Sequence, residues 1–118
     1  MAKNVEYMWT DSLPLVCTAP TTPASGDPVV AGQIPGVALA AEDANGVTTV
    51  ALDGAFRLSV KGENQSGNSA VAVGDIIYYE AGQTPPLNKD ATNGIRFGYA
   101  LAAVTSGATA TIAVRIGY

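Results

Sequence analysis

The chain has no histidine and a single cysteine, Cys17. The first absence removes the commonest general base and metal ligand. The second excludes an internal disulfide framework, and Cys17 has neither a His partner nor a Cys-x-x-Cys neighbour to activate it. Charge is also scarce, at 14% of 118 residues with a net charge of −4. Lys3, Arg57, Lys61, Lys89, Arg96 and Arg115 are scattered, whereas phosphate binding needs clustered cations. A nucleic-acid partner is therefore not expected. No run approaches the roughly 20 apolar residues of a membrane span, and the start MAKNVEYMWTDS lacks the apolar centre of a signal peptide. A chain made in the cytoplasm, with no membrane partner, is the expectation. Nucleophile-elbow, Walker and dinucleotide-binding motifs are missing as well. No catalytic residue, cofactor site or metal site is assigned. DANG at 43–46 and DATNG at 90–94 lack calcium-loop spacing and read as Asx turns.

What is present is a repeat. GVALAA occupies Gly36–Ala41 and GYALAA occupies Gly98–Ala103. Each follows a Gly-Asp pair, Gly26-Asp27 or Gly74-Asp75, with an apolar run between. Each is followed by a Gly turn, at Asn45-Gly46 or Ser106-Gly107, and by a Thr/Val/Ala-rich run. The hexamers are too short for a stable helix between their bracketing glycines. They fit hairpin strands, for which such turns supply positive φ.

Period-2 alternation supports this reading. Phe56, Leu58 and Val60 share one face of AFRLSVK, and Ile112, Val114, Ile116 and Tyr118 share one face of TIAVRIGY. DIIYYE at 75–80 reads as a well-covered central strand. The prediction is an all-β fold, a small barrel or sandwich of two similar β-hairpin units, which closure protects from edge pairing. The units span about 25–60 and 73–118 within one β domain, 25–118. The second carries an insertion at 80–94, whose Pro85-Pro86 and glycines predict a surface loop tolerant of shortening.

Residues 1–24 read as an extended, Pro-rich N-terminal arm, poor at internal pairing because proline donates no ladder hydrogen bond. The arm holds the only tryptophan. Tyr7, Met8 and Trp9, with Leu13 and Leu15, are the candidate contact residues, since Tyr and Trp favour interface centres. Alternatively, Trp9 folds back to plug one end of the barrel.

The order of segments resembles a family of small proteins of tailed phages and prophages, the capsid cement or decoration proteins. The resemblance runs from about Leu13 to the C-terminus. It rests on Ser25-Gly26-Asp27-Pro28-Val29-Val30, Gly36-Val37-Ala38-Leu39, Gly54 to Leu58, and Val73-Gly74-Asp75 through Tyr78. It implies a non-enzymatic protein that binds the outer surface of an assembled head in many copies. The implied partner is the major capsid protein, and the implied assembly is a homotrimer on the capsid. The competing reading is a head-fibre or tail-associated module that recognises a host glycan through Tyr78, Tyr79 and Tyr99.

Overall fold

The computed structural model describes residues 12–117. These residues contain eleven strands and no helix. The first four strands are β1 (Ser12–Leu15), β2 (Pro28–Ala31), β3 (Ile34–Ala38) and β4 (Thr48–Ala51). They form a sheet in the order β1-β4-β3-β2. Next come β5 (Ala55–Lys61), a short hairpin of β6 (Glu63–Asn64) and β7 (Gly67–Asn68), then β8 (Ile76–Tyr79), β9 (Leu87–Asn88), β10 (Ile95–Ala100) and β11 (Thr109–Ile116). The strands β10-β11-β5-β9-β8 close into a barrel. The all-β fold expected from the periodicity is present, and of the two closures left open, barrel or sandwich, the second unit forms the barrel.

The two halves match pair by pair. Pairing of β1 with β4 sets Leu13 opposite Val50 and Leu15 opposite Thr48. Pairing of β5 with β11 sets Phe56 opposite Val114 and Leu58 opposite Ile112. In β2–β3, Val29 faces Gly36, and in β8–β10, Ile77 faces Gly98. In β3–β4, Ala38 faces Val50, and in β10–β11, Ala100 faces Val114. The hydrogen bonds of the turns agree too. Gly26 N donates to Ala38 O at 2.7 Å, and Gly74 N to Ala100 O at 2.7 Å. Ala38 N donates to Asp27 O at 2.9 Å, and Ala100 N to Asp75 O at 2.9 Å.

This equivalence begins earlier than the sequence pattern indicated. The partner of β5 in the repeat is β1, so residues 12–15 open the first unit, and Ala55–Lys61 opens the second instead of ending the first. The sequence predicts a poorly pairing arm over residues 1–24, whereas Ser12–Leu15 runs along β4 as β1 and Ala19 bridges Val30. Pro14 is tolerated because β1 lies at a sheet edge, where a missing N–H costs no ladder bond.

The insertion also differs from expectation. Residues 80–94 are more than a surface loop, because they carry β9. Leu87 and Asn88 are fully buried. Leu87 pairs with Tyr79 on one side and, in parallel, with Val60 on the other. The insertion is thus the stave that closes the barrel. The first unit has only the Gly32-Gln33 link at this point, and its gap is spanned by the single Ala19–Val30 bridge.

Two apolar clusters follow from this plan. The smaller joins Cys17, Val29, Ala38 and Val50 inside the first unit. The larger fills the barrel with Leu58, Val60, Ile77, Leu87, Phe97, Ala100, Ile112 and Val114, among others. Val29, Ala38 and Val50 occupy the positions that Ile77, Ala100 and Val114 occupy in the barrel, so the same interior is built twice at two sizes. Val30 and Val37 point from the opposite face of the first sheet and join the larger cluster. Each is about 1% exposed, and burying a valine is worth roughly 1.5–3 kcal/mol, so these two residues lock the units together. DIIYYE is covered on one face only: Ile77 and Tyr79 are buried, while Ile76 and Tyr78 are half-buried.

Candidate interaction surfaces

The two Gly-Asp turns are held the same way. Asp27 Oδ2 accepts from Ala24 N at 2.9 Å, and Asp75 Oδ2 accepts from Ala72 N at 2.8 Å. Asp27 and Asp75 each serve their own turn. Asp75 additionally meets Lys89 Nζ at 3.1 Å, and Lys89 donates to Ala70 O at 2.9 Å, which ties the insertion to the turn. DANG and DATNG are Asx turns, as their spacing indicated. Asp43 Oδ1 accepts from Asn45 N and Val47 N, and Asp90 Oδ1 accepts from Thr92 N and Asn93 N. Among the described residues, no three or more His, Cys, Asp or Glu side chains converge on a point that could hold a metal.

These bonds give an acid-side prediction. The Ala72 N–H, and then Lys89, hold the Asp75 carboxyl below its ordinary value. The Asn93 side chain, then the Asn93 and Thr92 N–H groups, do the same for Asp90. A carboxyl lowered on folding adds stability above its unfolded pKa, near 4, and that stability is lost as pH falls through the lowered folded value. The urea midpoint should therefore drop on acidification below about pH 4. Asp75→Asn should flatten this drop, and an unchanged slope would show that the turn contributes nothing. Burial pushes the Cys17 thiol up, which keeps it protonated at neutral pH and unreactive.

Of the contact residues expected from the sequence, Tyr7, Met8 and Trp9 lie outside the described residues. Leu13 is half-buried in β1, and Leu15, also half-buried, packs against the smaller cluster. The three tyrosines separate. Tyr79 is only 4% exposed, and its ring stacks on Phe97 with centroids 6.4 Å apart, so it is a core residue. Tyr78 and Tyr99 lie half-buried on the outside of the barrel. The Arg96 guanidinium lies 5.5 Å from the Tyr99 ring centroid and donates to its hydroxyl at 2.5 Å. A cleft of about 330 Å³ separates the units, with Pro20, Pro28, Tyr79 and Pro86 as apolar walls and Asp27 and Gln83 as polar ones. It holds no nucleophile–base pair.

Among the described residues, the exposed large apolar side chains are Val16, Ile34, Leu39, Val73 and Leu101. Leu39 and Leu101 stand at equivalent places, directly after β3 and β10. Sequence reading placed them inside hairpin strands. The strands in fact end at Ala38 and Ala100, and the chain bends at the leucines. The signal for them was the repeat itself, which spelled the same residues twice without distinguishing inside from outside.

No curated protein and no solved structure matches the chain. The phage cement protein family matches residues 9–116, nearly the whole chain, and so takes in β1 and the insertion as well as the repeated turns. A match over nearly the whole chain settles the family: the chain belongs to the phage cement protein family, structural proteins associated with the phage capsid.

Proposed function

We propose that this protein decorates the outer surface of a tailed-phage head, binds the major capsid protein and stabilises the lattice. The carrying observation is the family match over residues 9–116. The fold supports it mechanically. Two β units joined through the buried Val30 and Val37 form a stiff body, which can resist separation of the subunits it touches. Internal pressure pulls capsomers apart, and a clip across their boundary adds interface that must break first. Individual contacts can be modest, since many copies act together. A homotrimer on the capsid is the proposed assembly, because closed cyclic symmetry suits a three-fold lattice position. The protein is made in the host cytoplasm and resides on the virion.

Tyr7, Met8 and Trp9 are proposed as the leading anchors, with the half-exposed Leu13 and the outer part of Leu15 continuing the contact. The structure sets where to cut in order to test them. Removal must stop before Ser12, because deeper truncation deletes β1 and the buried Cys17. The test mixes undecorated heads of the encoding phage with full-length chain, chain lacking residues 1–11, and Trp9→Ala. Full-length chain should coat the heads and raise the temperature at which they release DNA. Electron cryo-microscopy should find it outside the shell, around three-fold positions. Trp9→Ala should weaken binding by about 2 kcal/mol, roughly thirtyfold, as a buried aromatic anchor does. Truncated chain that still decorates at full occupancy would move the contact onto the β body. Full-length chain that leaves heads bare would overturn the decoration reading.

A further inference from the structure

The repeated hexamer has two halves with different physical reasons. The Gly-x-Ala half is explained inside the molecule. A Cβ on Gly36 would strike Val50, and one on Gly98 would strike the Arg115 carbonyl, while Ala38 and Ala100 are buried in the two cores. Ala102 packs against the larger cluster, but the two leucine side chains have no such explanation. Leu39 is 47% exposed and Leu101 is 45% exposed, and neither is among the buried residues that make up the two apolar clusters. Their structural duties are carried by the backbone: Leu39 N donates to Thr49 O, and Leu101 N to Ala113 O, both at 2.9 Å. Any residue except proline could make those bonds. Elsewhere, equivalent positions that escape a packing constraint have diverged. Ser25 corresponds to Val73 and Pro14 to Arg57, all four of them exposed. An exposed leucine kept at the same bend of both units therefore points outside the chain.

We infer that Leu39 and Leu101 are paired apolar knobs that insert into the same kind of pocket on two neighbouring copies of one lattice subunit. This rests on the capsid-binding reading and deepens it. A partner meeting the chain once could use one knob. A partner that recurs at fixed spacing accounts for both, because a duplicated feature matches a duplicated site. The spacing between the knobs is fixed, since burial of Val30 and Val37 against the barrel holds the units rigidly. Val73, 68% exposed, adjoins the Gly74 turn, whose N–H bonds the carbonyl of Ala100 next to Leu101; it widens the second knob, where the first unit has Ser25. Each protein then clamps two subunits of the shell, and its hold on an intact lattice exceeds its hold on a detached subunit.

The test compares full-length wild type with Leu39→Gln, Leu101→Gln and the double variant on undecorated heads, with Leu39→Met/Leu101→Met as an apolar control. Glutamine keeps the stem over the same underlying surface while removing the apolar tip. Each single change should weaken head binding about tenfold, to a similar extent, and the double change about a hundredfold. The methionine pair should bind like wild type. On isolated capsid subunits, the single changes should have at most a twofold effect, because the other knob remains to fill the one pocket. Melting temperatures and light-scattering masses should match wild type throughout. Wild-type affinity in the double variant, or loss confined to one leucine, overturns the inference while leaving head binding intact. So does a glutamine pair that fails to fold or changes self-association, since the leucines would then serve the chain itself. Wild type that leaves heads bare overturns the decoration reading and this inference with it.

Discussion

Deletion of Ala81–Asn93 is expected to abolish cooperative folding, although the ends it joins are already adjacent. Tyr79 and Ile95 face each other across β8 and β10, so Glu80-Gly94 would remain as a two-residue hairpin link. The first unit makes the corresponding connection with Gly32-Gln33. Chain connectivity is therefore not the obstacle; the barrel is. Its closure depends on β9, which bonds to β8 and β5 at once. Without it, both strands become open edges, and Tyr79 and Phe97 lose the cover of Leu87. The deletion also removes Lys89, which reaches Asp75, and Asn88, whose side chain donates to Glu80 at 3.1 Å. Loss of a buried leucine side chain alone costs about 2–5 kcal/mol, against a total of roughly 5–15 kcal/mol for a small domain. Leu87→Ala should thus lower the unfolding free energy by about 3 kcal/mol, and the deletion should exceed what the fold can lose. Urea denaturation followed by circular dichroism decides this. A deleted chain that unfolds cooperatively within about 1 kcal/mol of wild type would mean that β9 is ornamental.

The second large effect is expected from one methyl group. Gly98 faces Ile116 across β10 and β11, and a Cβ there would overlap the Arg115 carbonyl oxygen and come within 2.9 Å of its carbon. These are backbone atoms of a central stave and cannot turn aside as a side chain can. Gly98→Ala should cost more than about 4 kcal/mol, the range reserved for severe overpacking or strain. At the matching position, a Cβ on Gly36 would overlap Val50 Cγ1 and lie 2.6 Å from Ala51 O. Part of that clash is with a side chain, and the first sheet is joined only by a bridge at its gap, so it can yield. Gly36→Ala should cost about half as much, by the same denaturant titration. Equal and small costs at both sites would show that the two hairpins pack more loosely than their geometry indicates.

The first unit and the barrel differ in what closes them, and this difference bears on function. The barrel is large, complete and stiff. The first unit is smaller, carries β1 at an edge and receives the chain directly from Tyr7, Met8 and Trp9. In the proposed decoration role, the protein gains from having its proposed anchors on one unit and a reference body in the other. The duplicated leucines belong to both units and so translate that rigidity into a fixed span.

Local pattern determined a good deal by itself. The alternation in AFRLSVK and TIAVRIGY set which side chains of β5 and β11 face the core, because strand geometry sends neighbours to opposite faces whatever the fold. Asp27 and Asp75 announced their turns, since an Asx side chain bonds backbone a few residues away. The repeat and the family were legible in the order of such pieces. Three matters were settled only by tertiary structure. Ser12–Leu15 is a strand because β4 lies alongside it, a pairing between residues more than thirty positions apart. Leu87, set among prolines and polar residues, is buried because Val60 and Tyr79 leave a gap between their strands. Leu39 and Leu101, spelled like their core neighbours, are exposed because the chain bends one residue after each strand ends. In each case the local sequence fits either environment, and the deciding energy comes from contacts between distant segments, which no short window contains.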